Sequence, residues 1–329
     1  LYALLALTAG CGQWGAQPAR GYNGDYEKGM NVFFMNSRNR YEERDFDSNM
    51  VRLRTNGINT VFLVPYHFSA HAHSDSIVAT EETIDDSLLG RAIETVKNHG
   101  MEPILKPHID LLDGEPRTSI APANSPIWAG EYFAVLRRYA ELSNHYDLGS
   151  FVVGTELDNV ADRDFFHKIV GELRGIYGGR IIYAASFDHF LTSEIWDHVD
   201  VIGVNAYYNL CGSPRCNLST LSESWNYWLT VLSEFGARRD MDLIITEVGF
   251  CSTRRTALNP GDWTIGKGLS MKEQAKSYRA LLSQAGYFSG IKGIYWWQWE
   301  LNGGGGTANT DYTPCGKPAE RVIEEYWGL

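Results

Sequence analysis

Eight short apolar runs recur along this chain, and segments of helical length separate them. The runs are Lys28–Phe34, Asn59–Pro65, Met101–Pro107, Phe151–Gly154, Arg180–Ala185, Asp200–Ala206, Asp242–Glu247 and Ile291–Trp297. Most are apolar at successive positions, as in strands buried on both faces of a parallel sheet. The segments read as helices are Asp45–Asn56, Ser87–Asn98, Ser125 to about Tyr146, Asp162–Tyr177, a short one at Thr192–Trp196, Leu218–Arg238, one opening at Ser270, and Pro318–Tyr326. Several carry boundary signals. Asp85 or Asp86 is an N-cap for the second helix, and Gly100 follows its end. Ser125 caps the third, with Pro126 at the first helical position. Ser270 and Glu273 have capping-box spacing. Strand then helix, repeated with no domain-sized linker, predicts one (β/α)8 barrel with extended βα loops over residues 28–329. A doubly wound open sheet is the alternative, and no GxGxxG follows the first run to support a dinucleotide site.

A barrel of this kind builds its site at the C-terminal ends of its strands. Two strands end alike: FVVG runs into Thr155-Glu156, and LII into Thr246-Glu247. Either glutamate alone is as readily a strand cap or a surface ion-pair partner. The pair at matching positions predicts an acid and a nucleophile facing one cleft. Candidate substrate-binding residues at the same rim are His67, Lys106, His108, Asn205, Tyr207, Trp296, Trp297 and Trp299. Lys106 and His108 share a strand face by the period of two. Tyr207 is expected to hydrogen-bond the nucleophile, and Lys106 or His108 to hold sugar hydroxyls. The bland reading of a single rim histidine is a hydrogen-bonded structural residue, and that of the tryptophans is packing at the barrel mouth. Sugar cleavage with retention needs two carboxyl groups about 5–5.5 Å apart, one protonated and one ionised. It needs no metal and no organic cofactor. A metal-dependent barrel hydrolase built on His67, His108 and Asp110 is a competing reading, but it lacks a His-x-His on an early strand.

The net charge of −11 weighs against a nucleic-acid partner. Ten Trp suit both sugar stacking and core filling, so they do not choose. Residues 1–10 are largely apolar, too short to span a bilayer, and read as the end of a signal peptide. Leu7-Thr8-Ala9-Gly10-Cys11 resembles a bacterial lipoprotein cleavage box, although Thr8 stands where Leu is more usual. Cys11 is therefore expected to carry lipid, residues 11–27 to form a linker, and the protein to be exported and membrane-anchored, in the periplasm or at the cell surface. Four cysteines remain, and they can pair in three ways. The bent loop CGSPRC favours Cys211–Cys216, leaving Cys251–Cys315.

Six segments carry a family resemblance: LKPHID (Leu105–Asp110), GTEL (Gly154–Leu157), IGVNAYY (Ile202–Tyr208), ITEVGF (Ile245–Phe250), YWWQWE (Tyr295–Glu300) and GKPA (Gly316–Ala319). In this order they resemble glycoside hydrolase family 113, a clan A barrel family known for β-mannanases. The likeness runs from about Lys28 to Trp327. It implies a retaining mechanism with Glu156 as acid/base and Glu247 as nucleophile. It also implies a β-linked hexose oligo- or polysaccharide substrate, most nearly of β-1,4-mannan type. Thr155, where the wider clan has Asn, leaves open which group holds the sugar 2-hydroxyl. A monomer is expected, touching membrane only through the lipid at Cys11. Competing functions are a transglycosylase, a hydrolase processing another β-glycan such as an exopolysaccharide, and a sugar-binding lipoprotein without catalysis. The presence of both glutamates argues against the last.

Overall fold

In the computed structural model the described residues are 22, 25–213, 216–262, 264 and 268–328. Cys11, the apolar stretch before it and most of the linker lie outside them. The barrel is built from β1 (Glu27–Phe34), β2 (Thr60–Ser69), β3 (Glu102–Leu105), β4 (His108–Leu111), β5 (Ser150–Thr155), β6 (Arg180–Ser186), β7 (Val201–Asn205), β8 (Asp242–Val248) and β9 (Ile291–Trp299). Every pairing between them is parallel, in the order β1-β9-β8-β7-β6-β5-β3-β2, and pairing of β1 with β2 closes the ring. Both β3 and β4 pair with β2, through Leu105 opposite Leu63 and His108 opposite Tyr66. They are two halves of one barrel strand, interrupted at Lys106-Pro107, where proline brings no N–H to the ladder. The barrel therefore has eight strand positions, as the sequence predicts.

Outside it lie α1 (Glu43–Thr55), α2 (Asp86–Asn98), α3 (Ser125–His145), α4 (Asp164–Leu173), α5 (Leu218–Arg239), α6 (Met271–Ala285) and α7 (Pro318–Trp327). The expected helix at Thr192–Trp196 is instead one 3-10 turn, Ile195–Asp197. Asp85 caps α2, accepting from the Leu88 N–H at 2.9 Å. The cap of α3 is Asn124, one residue before the expected Ser125, so Ser125 and Pro126 are both inside the first turn. Ser270 does precede α6, but its side chain makes no capping bond, and the predicted box is not closed.

Period two divides the strand side chains into two cores. Phe33, Phe62, Val64, Tyr66, Ile104, Val152, Ile182, Val201, Ile244 and Tyr295 fill the barrel. Their neighbours, such as Met30, Val61, Val153, Ile202 and Ile294, pack outward with the helices. Tyr295 stacks on Phe62 at 3.8 Å between ring centroids. Its ring passes over Gly29, where an added Cβ would come within 2.1 Å of a ring carbon.

Three strands depart from strict alternation. On β5, Val152 to Thr155 spans what Ile182 to Ala184 spans on β6. On β8, Ile245 to Glu247 spans the single step from Val204 to Asn205 on β7. On β9, Trp296 to Trp299 spans what Met30 to Val32 spans on β1. Each is one extra residue, which reverses the side-chain alternation beyond it.

The Cys211–Cys216 disulfide is present. The expected Cys251–Cys315 bond is not: both thiols are free and buried. Cys251 lies beside Asp311 and Tyr312, and burial pushes its thiol up to about 12. Cys315 is raised by burial too, with Arg52, Glu320, Glu300 and Lys317 as its charged neighbours. Adjacency of the loops after β8 and β9 does not fix the direction of their side chains, which a disulfide requires.

Candidate active site

The extra residues in β5 and β8 both fall just before a glutamate. Alternation from Ile244 would turn Glu247 outward. The shift instead sets it opposite Asn205, on the barrel side of β7. On β5, Thr155 comes opposite the inward-facing Ala184. Glu156 then leaves the strand in the left-handed region (φ 52°), and its N–H bonds the Ala184 carbonyl at 2.8 Å. A non-glycine residue there costs about 1 kcal/mol or more, so the surrounding ladder must hold it in place.

Glu247 is buried and held at both oxygens. Lys106 Nζ makes an ion pair with Oε1, and the Tyr207 hydroxyl donates to Oε2 at 2.9 Å. Lys106 is fully buried and donates also to Asn31 Oδ1 at 3.3 Å. Burial lowers its ammonium while the Glu247 charge opposes that. Asn31 is fixed in turn, donating to the carbonyls of Thr246 (3.1 Å) and Trp296 (3.2 Å). His108 Nε2 stands 3.7 Å from Glu247 Oε1, beyond hydrogen-bond range. Its ring stacks on Trp297, with centroids 5.8 Å apart and planes 10° apart.

Glu156 has a different environment. Burial first, and then the Glu247 charge, raise its carboxyl to about 7, against the lowering effects of Arg117, the Asn205 amide and Lys106. Asn205 accepts from Thr246 Oγ1 at 2.8 Å, and its amide nitrogen is buried with no hydrogen-bond partner among the described residues. One carboxyl is thus set against a buried cation and a hydroxyl donor. The other is desolvated beside a negative charge, and the two polarise each other. Unlike environments of this kind can separate the proton affinities of two neighbouring carboxyl groups.

Of the expected substrate-binding residues, Lys106, His108, Asn205, Tyr207 and Trp297 converge on the two glutamates. His67, Trp296 and Trp299 do not. His67 alternates with Tyr66 and Phe68, so it faces α3, 3.4 Å from the Tyr139 hydroxyl. Burial, with Arg138 nearby, lowers its imidazole to about 4. Trp296 points outward and stacks on Tyr278 of α6 at 3.8 Å. Trp299 is turned outward by the extra residue in β9, and its indole N–H donates to Asn49 of α1 at 2.7 Å. Trp297 alone faces the barrel mouth, half-buried, against Phe33 and His108. Since His67 and His108 face opposite sides of the barrel wall, the metal-site reading built on both has no geometric basis. Among the described residues no three His, Cys, Asp or Glu side chains are grouped to hold a metal ion.

Two residues of the site escape a reading of strand ends. Asn31 sits in mid-strand; a lone polar residue at an inward position of Met30–Phe34 was the available signal. Arg117 lies in the long loop after β4, within a 3-10 turn (Arg117–Ser119), and reaches back to His108 Nδ1 (2.5 Å) and Asp110 Oδ1 (2.6 Å). No spacing rule connects a loop arginine to that histidine.

Two carboxyl groups in unlike environments at the C-terminal mouth of a closed parallel barrel define a class of hydrolytic site. The particular family follows from comparison: Glycoside Hydrolase Family 113 matches residues 30–317, and the chain belongs to it. It is a glycoside hydrolase, and its substrate is a carbohydrate. A structure described as a GH113 beta-1,4-mannanase is 25% identical, with a TM-score of 0.81, covering 92% of this chain and 99% of that one. A complex structure of a GH113 beta-1,4-mannanase has a TM-score of 0.82 at 24% identity over the same shares. The GH113 beta-mannanase AaManA from Alicyclobacillus acidocaldarius, in complex with ManMIm, has a TM-score of 0.81 at 21% identity, covering 92% and 97%. A search of curated proteins gave no match.

Proposed function

We propose that the protein hydrolyses β-1,4-mannan-type oligo- or polysaccharides by double displacement, with retention of anomeric configuration. The observation that carries this reading is the contrast between the two carboxyl groups: Glu247 ion-paired to Lys106, Glu156 raised to about 7. Glu247 attacks the anomeric carbon while Glu156 passes its proton to the leaving glycosidic oxygen. The glycosidic bond breaks as the Glu247 ester forms. Glu156, now ionised, takes a proton from water, whose oxygen displaces Glu247 and restores both groups. Tyr207 and Lys106 hold Glu247 in one orientation through the cycle, and Trp297 offers an apolar face to a sugar ring. The mannan assignment is supported by the beta-1,4-mannanases of like fold.

The test is hydrolysis of a panel of β-linked polysaccharides, with products resolved by size and the first-formed anomer read by NMR. Mannan cleavage releasing the β-anomer is expected. A first-formed α-anomer removes the mechanism, and turnover confined to another β-glycan removes the substrate assignment.

A further inference from the structure

Arg117 sits at the centre of a contact set that a bystander would not need. One arm of its guanidinium meets His108 Nδ1 at 2.5 Å, and the other meets Asp110 Oδ1 at 2.6 Å. A guanidinium only donates. The nitrogen facing it must therefore be the unprotonated one, and the ring proton must sit on Nε2. That nitrogen is buried with no hydrogen-bond partner, and the nearest carboxylate oxygen is Glu247 Oε1, 3.7 Å away. Trp297 stacked on the ring and Tyr66 at its edge, 5.3 Å between centroids, restrict its rotation.

We propose that Arg117 is a positioning residue: it locks His108 as the Nε2–H tautomer, so that the imidazole presents a donor beside Glu247 to a hydroxyl of the sugar bound there. This rests on the proposed role of Glu247. The alternatives explain why a lock is useful. In the other tautomer an Nε2 lone pair would face the carboxylate and repel it. An imidazolium would pair with Glu247 and compete with the anomeric carbon for its electrons. Glu247 favours that second state, and burial with the two nearby cations opposes it. Burial comes first, then the Arg117 and Lys106 charges, and together they hold the imidazole well below its ordinary value. Asp110 anchors the guanidinium from the other side, so it neutralises Arg117 without touching the ring. The arginine comes from the long loop after β4, within the 3-10 turn Arg117–Ser119.

The decisive experiment is 15N NMR of histidine-labelled protein, with His108→Asn used to identify the His108 resonances. In the unmutated enzyme at neutral pH, Nδ1 should be unprotonated and Nε2 protonated. A protonated Nδ1, or a doubly protonated ring, overturns the proposal without any variant. Arg117→Met removes both donors at similar length, and Arg117→Lys keeps one. The Met variant should show mixed tautomers, a kcat lower by about 10²-fold, the scale of a misplaced group in the site, and an added ionisation on the acidic side of its pH profile. The Lys variant should recover part of kcat and the single tautomer. An Arg117→Met enzyme whose spectrum and acidic limb match those of the parent also overturns the proposal. Retention of configuration and the effect of Glu247→Ala are read separately, so loss of the double-displacement reading leaves the tautomer result standing, and the reverse holds too.

Discussion

Glu156 is the residue whose environment makes the most specific claim about behaviour. Its carboxyl is raised to about 7, by burial first and by Glu247 second. In the proposed role of general acid it must be protonated, so kcat/KM should fall as pH rises through about 7. The Asn205 amide lowers the Glu156 carboxyl, favouring its charged form, and Asn205→Ala should move that basic limb upward. The same shift is a statement about stability. A carboxyl raised in the folded state favours folding below its ordinary value of 4.5, and this contribution is lost as pH rises through about 7. Glu156→Gln should therefore be more stable than the parent above pH 7, by up to about 3 kcal/mol, with the advantage vanishing near pH 4. Denaturant unfolding at several pH values measures it, and a pH-independent difference would count against the assignment.

At the scale of elements, the extra residues in β5, β8 and β9 decide what the strands present. The apolar runs and their order were legible in the sequence because burial on both faces leaves a compositional mark. The two Thr-Glu endings were legible for the same reason, as breaks in those runs. The direction of Trp296, Trp297 and Trp299 was not. Three tryptophans in a four-residue window look alike, and only the register of β9 against β1 separates them. A strand ending at Pro65 would leave His67 at the rim, but β2 continues to Ser69 in unbroken alternation, which places His67 on the helix side. Arg117 and Asn31 act across the barrel, beyond anything local spacing records. These placements predict a division among the tryptophans. Trp297→Ala should lower kcat/KM by about 10²-fold or more, as loss of the proposed sugar platform and of the surface behind His108. Trp296→Phe and Trp299→Phe should leave kcat/KM within about threefold and instead cost about 1–3 kcal/mol of stability, Trp299→Phe by stranding Asn49 as well. Michaelis–Menten analysis alongside thermal unfolding tells the groups apart.

For the whole molecule, the barrel serves as a frame that brings side chains from distant parts of the chain to one mouth: Asn31, Lys106, His108, Arg117, Glu156, Asn205, Tyr207, Glu247 and Trp297. The cysteines contribute less to that frame than parity arithmetic predicts. One disulfide closes the short loop between β7 and α5, and two thiols stay free and buried. Non-reducing peptide mapping after unfolding in alkylating reagent should recover Cys211–Cys216 linked and Cys251 and Cys315 alkylated. In the folded protein both thiols should resist the same reagent, since each is buried and raised above its usual range. A linked Cys251–Cys315 peptide would contradict the structure.

The central claim is that Glu247 becomes covalently bonded to sugar while Glu156 does not. A 2-deoxy-2-fluoro-β-mannosyl fluoride tests it most directly, because the fluorine slows departure of the intermediate and the fluoride leaves without needing an acid. Mass spectrometry of the intact enzyme should show one added fluoromannosyl group, and peptide sequencing should locate it on Glu247, in Glu156→Gln as in the parent. A label on any other residue, or turnover of the fluoride to inverted product with no adduct, would contradict the account.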